Sequence, residues 1–216
     1  MQHAADTANP RKLSRETRRQ QLIEATIRVI AERGYSRTTL TSVAQLAGLS
    51  HGLVNFHFET KDRLLAETLM FLAEEYRDNW VAALEAAGPH PAERLAALLE
   101  ADFSPAICTD ARLSAWCAFW GEAQCRPLYQ EHCGSNDAEY NQTVEDICRD
   151  LLAVTGKPGN AERIARVLRV TSEGVWLDLM TMTAPYDRQE ARSTVFSCAA
   201  AFFPEWFDET GPKPRA

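Results

Sequence analysis

Aromatic residues cluster in the second half of the chain at spacings that could build a binding site for a cation. Trp116 and Trp120 are four residues apart, on one face of a predicted helix, and Phe119 lies beside them. Aromatic rings around a cationic head group attract it through cation–π interactions, the usual way of binding quaternary ammonium compounds. A nearby carboxylate would add charge complementarity. The candidate residues are Phe103, Trp116, Phe119, Trp120, Tyr129, Tyr140, Trp176 and Asp178, with Glu122 and Glu173 as further acids.

The same rings also suit a role in a protein core. Tryptophan and phenylalanine at helical spacing usually pack inward, and for any one of these side chains core packing is the commoner role. The sequence therefore predicts an aromatic cage in this part of the chain without deciding which rings belong to it.

Motifs typical of enzymes do not occur in the sequence. It contains no GxSxG, HExxH, GxGxxG or P-loop motif, and no compact pair of acid and base residues. Cys125, His132 and Cys133 are close together, but their spacing matches no standard zinc site. We therefore expect a protein that is not an enzyme and that needs no metal or cofactor.

The chain has six cysteines: Cys108, Cys117, Cys125, Cys133, Cys148 and Cys198. No two of them form a CxxC pair, and the first ten residues are too polar for a secretory signal. Reduced, mostly buried thiols are the favoured interpretation. A redox- or metal-sensing role is the alternative, because Arg126 beside Cys125 could activate that thiol.

The net charge of −7 is unevenly distributed along the 216 residues. Residues 1–63 contain ten Lys and Arg against six Asp and Glu, whereas the remainder contains thirteen against twenty-four. A basic head on an acidic body suggests that one end of the protein meets a polyanion. No apolar run approaches the length of about 20 residues that spans a bilayer, so we expect a cytoplasmic protein without membrane contact.

Capping residues and a tight corner predict a helix-turn-helix near the start of the chain. Thr39 and Ser50 are suitable N-caps for two short helices, and Gly48 between them suits a sharp turn. Phe56 and Phe58, near the end of the second short helix, are expected in the core of this headpiece because aromatic side chains are usually buried.

Apolar periodicity predicts helices through the rest of the chain, so the predicted fold class is all-α. A first helix is expected from Ser14 to Gly34, and a long helix is expected to follow the N-cap Thr60. Five further helices are expected at about 91–104, 109–125, 127–155, 160–183 and 187–207.

The segment from Arg18 to Leu65 carries a family resemblance. It reads RRQQLIEATIRVIAERGYSRTTLTSVAQLAGLSHGLVNFHFETKDRLL. The stretch TTLTSVAQLAG, the turn GLS, the following HG, the aromatic Phe58 and the KDRLL that opens the long helix resemble the tetracycline-repressor (TetR) family of regulators. The resemblance implies a three-helix DNA-binding domain that works as a homodimer on a two-fold symmetric operator.

In such a domain the second short helix enters the major groove of double-stranded DNA. The resemblance then implies base contacts from Ser50, His51, Gly52, Asn55 and His57, and phosphate contacts from Arg18, Arg19, Thr39, Thr41 and Lys61. Asn55 could pair with adenine through two hydrogen bonds, and His51 could donate to guanine or to a phosphate. Most of the family has tyrosine at the position of Asn55, so the base preference is expected to differ.

Two stretches of the body resemble the choline-responsive BetI-type repressors of betaine-synthesis operons: Leu113 to His132 and Glu173 to Leu179. This resemblance implies a repressor that a small effector, choline or a related cationic amine, releases from DNA. A repressor that senses an unrelated small molecule or a redox signal, or one that has no effector, is the alternative.

The last two predicted helices are expected to form the dimer interface, since the family pairs them across a two-fold axis. The candidate interface residues are Leu168, Val175, Val195, Cys198, Ala199, Phe202 and Trp206, and packing within one chain is the alternative. The expected domains are a flexible basic arm (1–13), a DNA-binding domain (14–62), a domain for effector binding and dimerisation (63–208) and a disordered tail (209–216).

Overall fold

The computed structural model describes the chain over residues 10–123, 127–183 and 186–214. Within these residues the fold is all-α, as predicted, and a short β-hairpin follows the last helix. The elements are α1 (Pro10–Arg33), α2 (Leu40–Ala47), α3 (His51–Phe58), α4 (Lys61–Ala86), α5 (Pro91–Ala101), α6 (Asp110–Ala123), α7 (Pro127–Thr155), α8 (Ala161–Thr181), α9 (Arg188–Phe202), β1 (Phe207–Asp208) and β2 (Gly211–Pro212). No helix in these ranges is long and apolar enough to cross a membrane.

The chain divides into two compact units, Met1–Phe71 and Leu72–Ala216. The division falls inside α4, nine residues beyond the boundary expected after residue 62. The first turns of α4 belong to the first unit, where Arg19 on α1 forms an ion pair with Glu67 on α4 at 2.7 Å. The start of α4 is therefore part of the headpiece rather than of the body.

The local chemistry of the headpiece produces its helix-turn-helix. Thr39 Oγ1 accepts a hydrogen bond from the backbone N–H of Ser42, and the Ser42 hydroxyl accepts one from the N–H of Thr39, both at 3.0 Å. Gly48 ends α2 in the left-handed conformation with φ +65°, and Ser50 caps α3 by accepting from the N–H of Leu53. These caps fix the corner between the two short helices.

Helix α1 begins at Pro10, four residues earlier than the predicted start at Ser14. The last residues of the predicted arm are therefore helical. Proline is well tolerated in a first helical turn, and Arg11, Lys12 and Leu13 are all good helix formers, so a helix can start before the capping serine.

The C-terminal segment is ordered where disorder was predicted. Strands β1 and β2 pair antiparallel, with Phe207 opposite Pro212. Phe207 is buried, and its ring stacks against Phe196 of α9 with 6.2 Å between centroids. Arg192 donates to the carbonyl of Thr210 at 2.7 Å. An aromatic anchor and an arginine contact thus hold residues that look like a polar tail in the sequence.

The body is built around α8, which packs against α6, α7 and α9. Four of the residues expected at the dimer interface are instead buried within the single chain, between α8 and its neighbours: Leu168, Val175, Val195 and Ala199. Cys198, Phe202 and Trp206 are partly exposed. The predicted stripe is thus largely intramolecular core, because a helix in a bundle buries its most apolar face within its own chain first.

Another side of α8 presents apolar side chains to solvent. Val167 is 39% exposed, Val170 is 53% exposed and Leu177 is 51% exposed. Their spacing of three and seven residues puts them on one helix face. We call these three residues the α8 apolar stripe.

Gly211→Ala should destabilise the fold, whereas Gly121→Ala should not. Gly211 has φ +133°, and a Cβ there would lie 2.9 Å from Arg192 Nη2, so alanine would be strained by about 1–3 kcal/mol. Gly121 lies in α6 with no atom within 4 Å of the added Cβ, and alanine there should stabilise by up to about 1 kcal/mol. Thermal unfolding of both variants measures the difference. Equal melting temperatures would contradict an ordered C-terminal hairpin.

Candidate DNA-binding face and effector cavity

One face of α3 carries most of the hydrogen-bonding side chains expected to contact bases. Ser50, His51, Gly52 and Asn55 are all exposed. The side-chain amide nitrogen of Asn55 lies 3.3 Å from Nδ1 of His51, so the two polar groups are coupled on this face. A Cβ at Gly52 would meet no atom within 4 Å, so this point of the helix is open to a closely approaching partner.

The environments of His57 and Phe56 are the reverse of those predicted. His57 is buried, and Phe56 is exposed to solvent. His57 is only 9% exposed, and burial together with nearby Arg15 and Arg19 lowers the pKa of its imidazole. Phe56 is 62% exposed, with the Arg15 guanidinium 5.3 Å from its ring centroid, whereas Phe58 is fully buried. The structure therefore contradicts a base contact from His57 and a core position for Phe56. Helical rotation decides both outcomes, since it turns positions 57 and 58 inward and position 56 outward.

The side chains expected to hold phosphates differ in their surroundings. Arg18 and Thr41 are exposed. The hydroxyl of Thr39 takes part in the cap of α2, and Lys61 Nζ donates to the backbone carbonyl of Ser36, in the loop between α1 and α2, at 2.8 Å. Arg19 forms its ion pair with a carboxylate of α4. Three of the five candidates thus also hold the headpiece together.

A cavity of about 240 Å³ lies inside the second unit. This volume is below the range of about 300–1,000 Å³ that drug-sized ligands occupy, so the cavity suits a small compound. Its lining comes from α4, α6, α7, α8 and the residue that follows α5. The lining residues are Ala73, Tyr76, Asp102, Trp116, Trp120, Tyr129, Asn136, Asp137, Tyr140, Asn141, Arg169, Ser172, Glu173 and Trp176.

The cavity brings together five of the aromatic candidates and one of the acids: Trp116, Trp120, Tyr129, Tyr140, Trp176 and Glu173. Phe103, Phe119, Glu122 and Asp178 are not among the residues that line it. Asp178 is two residues beyond Trp176 on α8, so helical rotation turns it to another side. Phe119 is buried but does not line the cavity.

Two residues of the lining, Tyr76 and Asp102, were not among the predicted site residues. They have the largest effect on the chemistry of the cavity. Tyr76 follows Leu69 and Leu72 at spacings of three and four residues in α4, a pattern typical of an ordinary core position. Asp102 directly follows α5 in a stretch that resembles an ordinary polar helix end, although only 1% of its surface is exposed. No local pattern indicates that Asp102 is buried, because the helices that cover it come from distant parts of the sequence.

The three tryptophans form a continuous aromatic wall. Trp120 lies between the other two, 5.9 Å from Trp116 and 6.2 Å from Trp176 between ring centroids. The rings of Trp120 and Trp176 are nearly parallel, at 14°. Tyr76 meets Trp176 edge-on at 5.8 Å. Such a wall places several electron-rich rings around one small volume.

Asp102 is the buried acid of the cavity. Its Oδ1 accepts a hydrogen bond from the Tyr76 hydroxyl at 2.9 Å, and its backbone carbonyl accepts one from Trp176 Nε1 at 3.2 Å. Burial raises the pKa of Asp102 from 3.8 to about 7, although hydrogen bonding with Tyr76 and with Ser172 opposes the shift.

Further charged and polar groups of α7 and α8 line the rest of the cavity. Arg169 Nη1 forms an ion pair with Glu173 at 2.5 Å, one turn further along α8. Asn136, Asp137 and Asn141 contribute polar side chains from α7. Together with Asp102, the lining carries more carboxylates than cations, which favours a positively charged ligand.

The thiols offer little support for a redox site. The five described cysteines are free, and burial raises the pKa of Cys133 and of Cys148 to about 12, so both stay protonated at neutral pH. Cys125 and Arg126 lie outside the described residues. Among the described residues, no three His, Cys, Asp or Glu side chains are grouped as a metal site would require.

A helix-turn-helix headpiece joined to a helical body that encloses a ligand-sized cavity defines a DNA-binding transcriptional regulator rather than an enzyme. The model of bacterial regulatory proteins of the tetR family matches residues 22–68, and the model of the BetI-type transcriptional repressor C-terminal domain matches residues 91–204. The chain belongs to the tetR family, with a C-terminal domain of the BetI type.

Relatives and solved structures agree with this assignment. The BetI regulator of Burkholderia thailandensis is 33% identical over 187 residues, which cover 84% of this chain and 91% of the relative. A regulator from Pseudomonas aeruginosa PAO1 superposes with a TM-score of 0.74 at 27% identity, covering 92% of each chain. A regulator from Saccharomonospora viridis, solved in complex with choline, has a TM-score of 0.72 at 22% identity, covering 83% of this chain and 94% of that one.

Asp102→Asn should change how stability depends on pH. Because the folded-state pKa of about 7 lies above the ordinary 3.8, the folded chain keeps a proton that the unfolded chain loses between these values. The contribution of this proton is full below about pH 4 and is lost as the pH rises through about 7. The variant should therefore gain stability over the parent chain as the pH rises from 5 to 8, by on the order of a few kcal/mol.

Thermal unfolding followed by tryptophan fluorescence across this pH range measures the effect. Asp150→Asn, at an exposed position of α7, is the matched control and should leave the pH profile unchanged. If the Asp102 variant and the parent chain kept parallel profiles, Asp102 would not be protonated in the folded protein.

Proposed function

We propose that this regulator represses transcription as a homodimer on a two-fold symmetric operator, and that choline or a related quaternary ammonium compound releases it. The observation that carries the proposal is the tryptophan wall beside the buried Asp102. Rings of this kind attract a desolvated cation, and a carboxylate nearby compensates its charge. The excess of acids in the lining disfavours an anionic effector.

The relatives support the same effector class. The body matches the BetI-type repressor model, and a regulator of the same fold was solved in complex with choline. An effector of unrelated chemistry is the alternative. Comparing the binding of choline with that of a neutral compound of the same shape distinguishes the two. Sensing through Cys133 is less favoured, because a thiol with a pKa of about 12 is a poor nucleophile.

On the DNA side, the exposed face of α3 is proposed to contact base edges. Ser50, His51 and Asn55 supply hydrogen-bonding groups, and Gly52 allows close approach. Phe56 joins this face, since an exposed phenyl ring can contact the methyl group of thymine. Arg18, Thr39 and Thr41 are exposed and are proposed as phosphate contacts, and the partly buried Arg19 and Lys61 are proposed as further ones.

The α8 apolar stripe is proposed to form the centre of the dimer interface. Val167, Val170 and Leu177 are exposed in the single chain, so a second copy would remove them from water. Cys198 and Phe202 of α9 are partly exposed and could extend the contact. A dimer also supplies the second recognition helix, because one helix alone reads too few base pairs for useful specificity.

Asn55→Ala and Arg18→Ala should weaken operator binding in different ways. Loss of an amide that contacts a base should lower affinity for the operator roughly tenfold and relax sequence preference at one position of each half-site. Loss of a phosphate contact should weaken binding to all sequences alike and make it less dependent on salt. Mobility-shift titrations against an operator selected from random duplexes, at two salt concentrations, measure both effects. Unchanged sequence preference in the Asn55 variant would contradict its proposed role.

Choline should bind the cavity at least roughly tenfold more tightly than 3,3-dimethylbutan-1-ol, a neutral compound of the same shape, because only choline gains the cation–π attraction. Trp120→Leu should abolish this preference. Trp206→Leu is the matched control, since Trp206 is also partly exposed but does not line the cavity. Calorimetry measures binding, and the mobility-shift assay measures release of the operator. Equal affinity for the two compounds, or no release by choline, would refute the proposed effector class.

A further inference from the structure

The C-terminal hairpin lies outside the segment that the BetI-type model matches. That match ends at residue 204, and both strands of the hairpin follow it. The hairpin is nevertheless packed into the body, since Phe207 is buried and its ring stacks against Phe196 of α9. The helices that the hairpin contacts include α5 as well as α9. A segment held in this way can influence the part of the body that it touches.

Arg192 of α9 connects the hairpin to the last turn of α5. Its Nη1 donates to the backbone carbonyl of Thr210, in the turn between the two strands, at 2.7 Å. Its Nε donates to Oε1 of Glu100 on α5 at 2.7 Å, and Nη2 donates to the same oxygen. A planar guanidinium can make these bonds at once, because its donors point in fixed directions. We call this bridge the Arg192–Glu100 link.

The Arg192 guanidinium is also packed against its surroundings. Its Cζ atom lies 4.6 Å from the centroid of the Phe196 ring, and that ring in turn stacks against Phe207. A Cβ at Gly211 would lie 2.9 Å from Nη2, so the guanidinium approaches the backbone of the hairpin at a residue that has no side chain. The hairpin therefore restricts the position of the guanidinium, and the guanidinium restricts the position of Glu100.

The turn that Glu100 belongs to carries the buried acid of the cavity. Asp102 follows Glu100 by two residues, and the backbone carbonyl of Glu100 accepts a hydrogen bond from the N–H of Phe103 at 3.0 Å. This bond closes the turn around Asp102, so a displacement of Glu100 also displaces Asp102. The two neighbouring acids are thus held from different sides: Glu100 by α9 and the hairpin, and Asp102 by Tyr76 and Trp176.

An ionised Asp102 needs such support. Its burial makes the charged form costly, so the carboxylate gains free energy by moving toward water. Leu98 and Leu99 bury one face of α5, but apolar contacts have no direction and leave the helix end free to rotate slightly. The bonds of the Arg192 guanidinium to Glu100 have a fixed direction, so they oppose this rotation.

Resting on the proposed function, we infer that Arg192 is a positioning residue for the effector cavity: together with the C-terminal hairpin it holds the last turn of α5, and thereby keeps the Asp102 carboxyl inside the cavity. Neither Arg192 nor the hairpin lines the cavity, so both act through Glu100. Loss of the link lets Asp102 move toward water and away from a bound cation, and the affinity for that cation falls.

Calorimetry with choline at pH 8 measures the consequence for binding. Arg192→Lys and Glu100→Asp both keep the charges of the pair, but lysine lacks the fork of donors and aspartate is one methylene shorter, so neither variant can keep the link. Each should bind choline at least about threefold more weakly than the parent chain, at a temperature where the variant is fully folded. The double variant should bind no more weakly than the weaker single variant, because both substitutions break the same link.

A second charged pair of the body provides the matched controls. Arg149 and Glu145 form an ion pair on the surface of α7, and neither residue lines the cavity. Arg149→Lys and Glu145→Asp therefore repeat the two substitutions at a place without a connection to Asp102. Both should bind choline as the parent chain does.

The pH profile of Asp102 reports on its position without any ligand. The gain in melting temperature that Asp102→Asn brings between pH 5 and pH 8 should be smaller in the Arg192→Lys background than in the parent chain. A carboxyl that is less buried ionises more readily, so its pKa lies closer to the ordinary 3.8. A general loss of stability would lower the melting temperatures of both chains of a background and leave this difference unchanged. Glu100→Asp provides a second background in which the same difference should shrink.

These substitutions leave the titratable surroundings of Asp102 intact. The groups that interact with its charge are Tyr76 of α4, Tyr140 of α7, Glu173 of α8 and Cys108, which precedes α6. None of them is changed, and the net charge of the chain stays the same. A change in the profile therefore reports a change in the burial of Asp102.

The outcomes separate this inference from the proposed function. If the Asp102 profile is the same in the parent, Arg192→Lys and Glu100→Asp backgrounds, Arg192 does not position the carboxyl and the inference is overturned. Parent-like choline affinity in both variants, or an equal loss in the Arg149 and Glu145 controls, also overturns it while the cavity keeps its proposed ligand. If choline does not bind the parent chain, the proposed effector fails, and the Asp102 profile alone decides whether Arg192 positions the carboxyl.

Discussion

The hydrogen bond from the Tyr76 hydroxyl to the buried carboxyl of Asp102 is the interaction on which the chemistry of the body depends. Asp102 directly follows α5, yet it contacts α4 through Tyr76 and α8 through Trp176. Burial makes its charge costly, so its pKa rises to about 7. The three elements around it must keep their relative positions if this carboxyl is to remain oriented toward the cavity, so fold and site are linked at one residue.

The tryptophans show that core packing and ligand contact are not exclusive roles. Trp116 is 6% exposed and Trp176 is 5% exposed, so both are core residues by burial, and both also line the cavity. A cavity wall inside a helical body has to be made from core side chains, because no other residues reach its interior. The sequence left two roles open for these rings, core packing and ligand contact. The same side chains therefore have both roles.

The parts of the structure that the sequence predicts well are those set by local chemistry. Thr39, Gly48 and Ser50 act within a few residues of themselves, so the helix-turn-helix could be derived from their types and spacing. The predictions for Phe56 and His57 are wrong because they follow residue type, whereas helical rotation decides which of these side chains is buried. Asp102 could not have been found, since its burial depends on contacts with Tyr76 and Trp176, far away in the sequence. The resemblance to the tetR family and to BetI-type repressors indicates the function, whereas long-range packing determines which side chains line the cavity.

The headpiece uses several of its cations for its own stability, which bears on how it can hold DNA. Glu67 accepts ion pairs from both Arg19 and Arg63, and Lys61 donates to the carbonyl of Ser36. Ion pairs at partly exposed positions contribute only about 0–1 kcal/mol, so a DNA phosphate can replace the carboxylate as the partner of Arg19 at little cost. The same pairs hold the guanidinium groups in place in the absence of DNA. An arginine that is already oriented loses less conformational entropy when it binds a phosphate, so these internal contacts and a role in DNA binding are compatible.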